Sequence, residues 1–150
     1  MKTDTREIKD QLEEILEKNK DAHKGYHKAA ENVDDASLRR YFERKAENRK
    51  TFNKALESEM VNHYEGFDTD GSFKGSMHRT WMDVKSLFSG NDDEAMLEES
   101  IRGDEAAVEE YKDVLNDTTL PAGIAQLIRQ QKDEIQSTLS QNRTMEDIRS

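Results

Sequence analysis

The side chains suited to metal chemistry in this sequence are its carboxylates and its four histidines, because the chain has no cysteine. In helical bundles that hold two irons, two helices each supply a Glu and two each supply a Glu-x-x-His, a spacing that puts both ligands on one helix face. The histidines here are His23, His27, His63 and His78. The residues three positions before them are Lys20, Lys24, Met60 and Gly75. The standard di-iron pattern is therefore not encoded, and the sequence predicts no cofactor.

An iron site with unusual ligands is the alternative, because carboxylate oxygens and an imidazole suit iron. The residues that lie near the right level for such a site are Asp21, His23, Glu47, Asp104, Glu105 and Glu134. They would make the protein an iron-dependent oxidase or ferroxidase. His23 and His27 are four residues apart and could chelate zinc or copper, but the sequence fixes no third ligand. There is no glycine-rich phosphate loop or nucleophile elbow, so no catalytic residue is predicted.

The elements that must position these residues are helices. Apolar residues recur at steps of three and four over four long segments, and no segment alternates with period two. This pattern predicts helices at about 5–33, 36–63, 92–117 and 120–147, with a short helix at about 75–89. Pro121 suits the first turn of the last long helix, where its missing N–H costs nothing. The fold class is therefore all-α.

The long segment between the second and third long helices predicts the topology. A helix of 28 residues is about 42 Å long, and the connection has enough residues to travel that distance. We therefore expect residues 1–150 to form one domain, an up-down four-helix bundle of ferritin-like topology with one long crossover.

Polar residues interrupt each apolar stripe near the midpoint of its helix. In an antiparallel bundle of similar helices the midpoints meet at one level, so the sequence predicts one polar layer in the core. Lys45 and Ala46 lie beside this interruption on the second helix. The predicted members of the layer are Asn19, His23, Arg49, Asp104, Glu105 and Gln131.

Arg49 makes this layer unlike a metal centre. A guanidinium beside Asp104 or Glu105 would occupy the room and supply the positive charge that a metal would bring. We therefore interpret the layer as a metal-free polar core that fixes the register of the helices. The alternative is that these side chains tilt to the surface of the bundle.

The charge balance excludes several classes of protein. The 150 residues carry 33 acidic and 23 basic side chains, a net charge of −10, and a sequence pI near 4.9. A general nucleic-acid binder needs a basic face, so nucleic acid is not an expected partner. No apolar run is long enough to span a membrane, and the first twenty residues lack the apolar core of a secretory signal. We therefore expect a cytoplasmic protein.

The acidic excess lies mostly on the third long helix. Residues 92–117 hold eleven acids and two bases. This face either keeps the protein soluble or docks a basic protein partner. Ala95, Met96 and Val114 lie beyond the main apolar stripe of this helix, and they could form a homodimer face or pack against the crossover.

Three segments resemble an uncharacterised bacterial family of ferritin-like four-helix bundles, a domain of unknown function related in fold to rubrerythrins. They are Glu47–Leu56, Met77–Asp83 with its His-Arg-x-Trp sequence, and Arg102–Ala107 followed by Tyr111. The resemblance covers essentially the whole chain. It implies a four-helix bundle with a crossover and no established activity, and the chain lacks the Glu-x-x-His motifs of rubrerythrin-type domains.

Together these features favour a non-enzymatic ferritin-like bundle with a degenerate di-iron site, serving as a stress-related or protein-interaction module. The alternative is an iron-binding oxidase or ferroxidase with atypical ligands.

Overall fold

The computed structural model describes residues 5–64, 92–116 and 120–149. It contains four long helices and a short one: α1 (Thr5–Asn32), α2 (Ala36–His63), α3 (Asp93–Leu115), α4 (Ala122–Gln141) and α5 (Met145–Arg149). These residues include no strand, so the predicted all-α helical bundle is confirmed. The short helix predicted at 75–89 lies outside the described residues. Within the described ranges, no helix combines the length and hydropathy that a membrane span requires.

Aspartates start two of the long helices. The carboxylate of Asp35 accepts a hydrogen bond of 2.9 Å from the backbone N–H of Leu38 at the start of α2. Asp92 caps α3 in the same way through the N–H of Glu94, at 3.1 Å. Each side chain satisfies one of the donors that a helix start leaves without a partner, which explains why both helices begin where they do.

The last helix is shorter than predicted. α4 ends at Gln141, whereas the apolar periodicity predicts a helix to about residue 147. Thr144 Oγ1 accepts from the N–H of Asp147 at 3.1 Å, and Asp147 Oδ2 accepts from the N–H of Thr144 at 3.2 Å. This reciprocal pair is a capping box, which starts a new helix and so ends the previous one. The new helix α5 packs against α2.

The long helices form a bundle in which packed neighbours are antiparallel. α1 packs on α2 and α3 on α4, while α2 also contacts α4 and α1 contacts α3. The start of α3 lies at the α1–α2 turn, where Asp93 accepts from the N–H groups of Asp34 and Asp35. The end of α2 lies at the start of α4, where Glu59 is close to Gly123. α2 and α3 therefore run parallel, and the connection between them joins opposite ends of the bundle, as the crossover prediction requires.

The apolar core is divided into two clusters. One cluster lies at the end of the bundle where α2 ends and α4 begins, and it includes Leu12, Leu16 and Leu56. The other, near the α1–α2 turn, includes Leu38 and Phe42. Polar side chains lie between the two clusters.

The structure corrects part of the proposed dimer face on α3. Met96 and Val114 are buried in the chain's own core, so they are not available for a second copy. Ala95 is exposed. The amphipathic stripe of α3 is therefore wider than its sequence pattern suggested, because α3 packs against both α1 and α4.

Candidate functional site

The polar layer is centred on Asp104, whose side chain is only 1% exposed. Its Oδ1 accepts from Arg49 Nη2 at 2.5 Å and from the Tyr26 hydroxyl at 2.9 Å. Its Oδ2 accepts from Lys45 Nζ. Lys45 and Arg49 are four residues apart on α2, so both project from one helix face toward α3. One buried carboxylate thus binds two buried cations.

A chain of hydrogen bonds extends from Arg49 across the bundle. Arg49 Nη1 donates to Asn19 Oδ1 at 3.0 Å, and Asn19 Nδ2 donates to the Tyr111 hydroxyl at 2.8 Å. That hydroxyl donates to Gln131 Oε1 at 2.7 Å, and Gln131 Nε2 donates to the Phe52 carbonyl at 3.1 Å. All four long helices therefore contribute to one buried network.

Aromatic rings surround the two cations. Lys45 Nζ lies 4.7 Å from the centre of the Tyr26 ring and 5.2 Å from that of Tyr41. The Arg49 guanidinium carbon lies 5.9 Å from the centre of the Tyr26 ring. Ring faces attract cations, and this attraction is stronger away from water. The rings therefore replace part of the hydration that the cations lose on burial.

Burial sets the protonation of the tyrosines in the layer. It raises the pKa of Tyr111 to about 12, with Arg49 opposing the change. Burial and the negative charge of Asp104 raise the pKa of Tyr26 well above its usual value. Because both phenols stay neutral near pH 7, both can donate the hydrogen bonds described above.

The two cations respond differently to burial. Loss of hydration lowers the pKa of Lys45, although attraction to Asp104 opposes the change. Loss of hydration is the largest single effect on Arg49 and acts to lower its pKa, but the combined effects of Asp104 and of Tyr26, Tyr111 and Tyr41 outweigh it, so the net shift is upward. Arg49 is therefore a permanent cation, whereas Lys45 holds its proton less firmly than an exposed lysine does.

The structure brings together four of the six residues predicted for the layer: Asn19, Arg49, Asp104 and Gln131. His23 lies at the edge, where its Nδ1 is 2.8 Å from the carbonyl oxygen of Ala46. The prediction for Glu105 is wrong, because its side chain is 51% exposed and pairs with Arg143 at 3.1 Å. Glu105 follows Asp104 directly, and one residue turns the helix by about 100°.

Sequence reasoning missed three members of the network: Tyr26, Lys45 and Tyr111. The two tyrosines occupy apolar stripe positions, so their rings counted as core and their hydroxyls were overlooked. The usable signal was that a buried tyrosine hydroxyl normally finds a hydrogen-bond partner. Lys45 lies one helical turn before Arg49, so the spacing places both on one face of α2, but it does not show which helix that face meets.

The residues proposed as atypical iron ligands do not converge. Asp104 binds the two cations of α2, Glu105 pairs with Arg143, and Glu47 and Glu134 are exposed. Asp21 is half-buried, and His23 is 6.4 Å from His27 between ring centres. Among residues 5–64, 92–116 and 120–149, no group of three carboxylate or imidazole side chains could hold a metal ion. These side chains therefore do not gather into one ligand set among the described residues.

Comparison with protein families gives a match over residues 7–117 to "Domain of unknown function (DUF2383)". The chain belongs to this family. No match was found among curated proteins. The DUF2383 match includes α1 from residue 7 onward, α2 and α3. It therefore includes Asn19, Lys45, Arg49, Asp104 and Tyr111. α4 and its Gln131 lie beyond the matched residues.

Proposed function

We propose that this member of the DUF2383 family is a non-enzymatic ferritin-like bundle in which an ion-pair layer stands at the level of a di-iron site. The observation that supports this is the binding of both Lys45 and Arg49 to Asp104. The two cations occupy the oxygens that a metal would need, and they would repel a metal ion at that level. The description of the DUF2383 family names no activity.

The layer has a clear structural use in such a protein. Apolar layers of a bundle resemble one another, so helices can slip by one turn at little cost. Each hydrogen bond from Arg49 through Asn19 and Tyr111 to Gln131 requires one particular partner. Buried polar groups of this kind are best attested as devices that fix register. We propose that this layer holds the bundle in one arrangement.

We propose that the acidic face of α3 docks a basic protein partner, and this proposal includes partners that are present during stress. Several of its acids already have roles within the chain. Glu110 pairs with Lys18 at 2.6 Å, and Glu99 pairs with Arg102 at 2.7 Å. Glu94, Glu98 and Asp113 are exposed. These exposed acids are the part of the face available to a partner.

Iron loading tests the proposal. The purified protein is incubated with ferrous iron in air, desalted and subjected to elemental analysis beside the Asp104→Asn variant. We expect less than about 0.1 iron per chain in both proteins, the level of adventitious binding to an acidic surface. The alternative function, an oxidase with atypical ligands, predicts about two irons per chain that depend on Asp104. That result would overturn the non-enzymatic proposal.

A further inference from the structure

A small concave site lies between the first half of α2 and the C-terminal helix α5. Its volume is about 180 Å³, and the described residues that line it are Ser37, Arg40, Arg44, Ile148 and Arg149. This volume is below the range of about 300–1,000 Å³ that is usual for sites of drug-sized molecules. The α2–α5 site is therefore of a size for one small chemical group.

Three guanidinium groups from two helices line the α2–α5 site. Arg40 and Arg44 are four residues apart on α2, so they project from one face of that helix. Arg149 comes from α5, which packs against α2. Arg149 Nε donates to Asp35 Oδ2 at 2.8 Å, and this bond ties the third arginine to the start of α2. The fold, rather than one stretch of sequence, therefore brings the three cations together.

The chemistry of these side chains suits a phosphate group. Guanidinium groups stay charged at any ordinary pH, and their N–H donors form a fork that matches phosphate oxygens. Arg40 Nη2 donates to Ser37 Oγ at 3.4 Å, which leaves the O–H of Ser37 to donate to another group. Donors that reach one point from several directions fit a tetrahedral group with several oxygens better than a planar carboxylate with two.

We propose that the α2–α5 site binds one phosphate group, as inorganic phosphate or as the phosphate of a small monoester. The whole chain has a net charge of −10, but screening over about 8 Å at physiological ionic strength lets the nearby arginines dominate. Asp35 is a carboxylate close to the site, and it binds Nε of Arg149, a different nitrogen from the two Nη donors of that side chain. This inference goes beyond the proposed function, and it does not depend on the result of the iron experiment.

Calorimetric titration of the full chain near pH 7 tests the proposal with three probes at equal ionic strength. Inorganic phosphate and glycerol 3-phosphate carry the proposed group, and acetate is the carboxylate control. We expect at least one phosphate probe to bind with a Kd below about 10 mM, and acetate to bind at least about fivefold more weakly. The tighter phosphate probe shows whether the free ion or the monoester is preferred. A higher Kd for both phosphate probes, or acetate binding within about fivefold of them, would overturn the proposal.

Arginine variants locate the binding. Arg40→Gln and Arg149→Gln each remove one cation, from α2 and from α5, and each should weaken phosphate binding by about fivefold or more. The matched control is Arg129→Gln, an exposed arginine on α4 whose loss changes the net charge equally and should leave the affinity within about twofold. Equal loss in all three variants, or unchanged affinity in either site variant, would contradict the proposal.

A variant that adds charge covers the case in which loss of an arginine disturbs the packing of α5. Ser37→Glu places a carboxylate of the chain itself beside Arg40, where it would compete with phosphate. Ser58→Glu makes the same change at an exposed position of α2 and is the control. We expect both proteins to fold by circular dichroism and Ser37→Glu alone to have lost phosphate binding. A folded Ser37→Glu protein that binds phosphate as tightly as the Ser58→Glu protein would refute the site.

Discussion

At the scale of single residues, Tyr111 connects two parts of the network through its hydroxyl. Its hydroxyl accepts from Asn19 and donates to Gln131, so it joins the α1 side of the layer to α4. Phenylalanine at this position would keep the ring and remove both bonds. The amide groups of Asn19 and Gln131 would then lack those partners while buried from solvent, which is the costly way to lose a hydrogen bond.

We therefore expect Tyr111→Phe to lower the free energy of unfolding by about 1–3 kcal/mol, measured by chemical denaturation near pH 7. Lys112→Ala, at the neighbouring exposed position of α3, is the control and should change it by less than about 0.5 kcal/mol. Equal stability of Tyr111→Phe and the unmodified protein would show that the hydroxyl is not part of a buried network.

The raised pKa of Tyr111 adds a pH dependence to this comparison. The phenol ionises near 10 in the unfolded chain and at about 12 in the folded one. The folded state therefore keeps its proton longer, so this contribution is fully present below pH 10 and is lost as the pH rises toward 12. Denaturation between pH 9 and about 11 should show a steeper fall for the unmodified protein than for Tyr111→Phe. Parallel curves would contradict the assigned burial.

At the scale of elements, Asp35 joins the start of α2 to the C-terminal helix α5. It caps α2 through the N–H of Leu38 and accepts from Arg149 Nε at 2.8 Å. The hydrogen bond from Leu38, followed by that from Arg149, holds the pKa of Asp35 below its usual value. Stability from this carboxylate is therefore present above pH 3.8 and is lost as the pH falls through its lower folded-state pKa.

We expect Asp35→Ala to lower the melting temperature at pH 6, and we expect the difference from the unmodified protein to shrink as the pH is lowered below 3.8. Thermal denaturation followed by circular dichroism measures both effects. Asp34→Ala is the matched control, since Asp34 is the exposed neighbour and does not cap α2. A difference that stays constant down to acid pH would show that the charge of Asp35 does not stabilise the helix.

The elements also show what the sequence can predict. Asp35 and Asp92 cap α2 and α3, and a cap-forming residue before an apolar stripe is a local signal for the start of a helix. The break between α4 and α5 was also local, in Thr144 and Asp147, but the apolar periodicity continues across it. Periodicity alone therefore predicts too long a helix when a capping box interrupts the pattern.

The site was less predictable than the helices. The level of the polar layer followed from interruptions in four stripes, because helices of similar length place their midpoints together. The sequence did not show which of the neighbours Asp104 and Glu105 faces inward, so the predicted layer contained both. The role of Lys45 required knowing that α2 faces α3 at two successive turns, a tertiary fact that no spacing within one helix contains.

At the scale of the whole molecule, the layer divides one core into two apolar halves. Burial of the apolar side chains on both sides is the main stabilising contribution, and it depends little on exact register. The layer adds the requirement that all four helices meet at one level. It joins α1, α2, α3 and α4 through Asn19, Arg49, Asp104 and Gln131. We propose that this direct pairing takes the place of a metal centre.

A double-mutant cycle on Arg49 and Asp104 tests that claim most directly. The unfolding free energies of Arg49→Met, Asp104→Asn and the double variant are compared with that of the unmodified chain. We expect Arg49→Met to cost about 3 kcal/mol, since breaking a buried pair costs about 3–5 and Lys45 still faces Asp104. We expect a coupling energy of about 1.5–3 kcal/mol between the two sites. A coupling energy within about 0.5 kcal/mol of zero would contradict the direct pairing at the centre of the bundle.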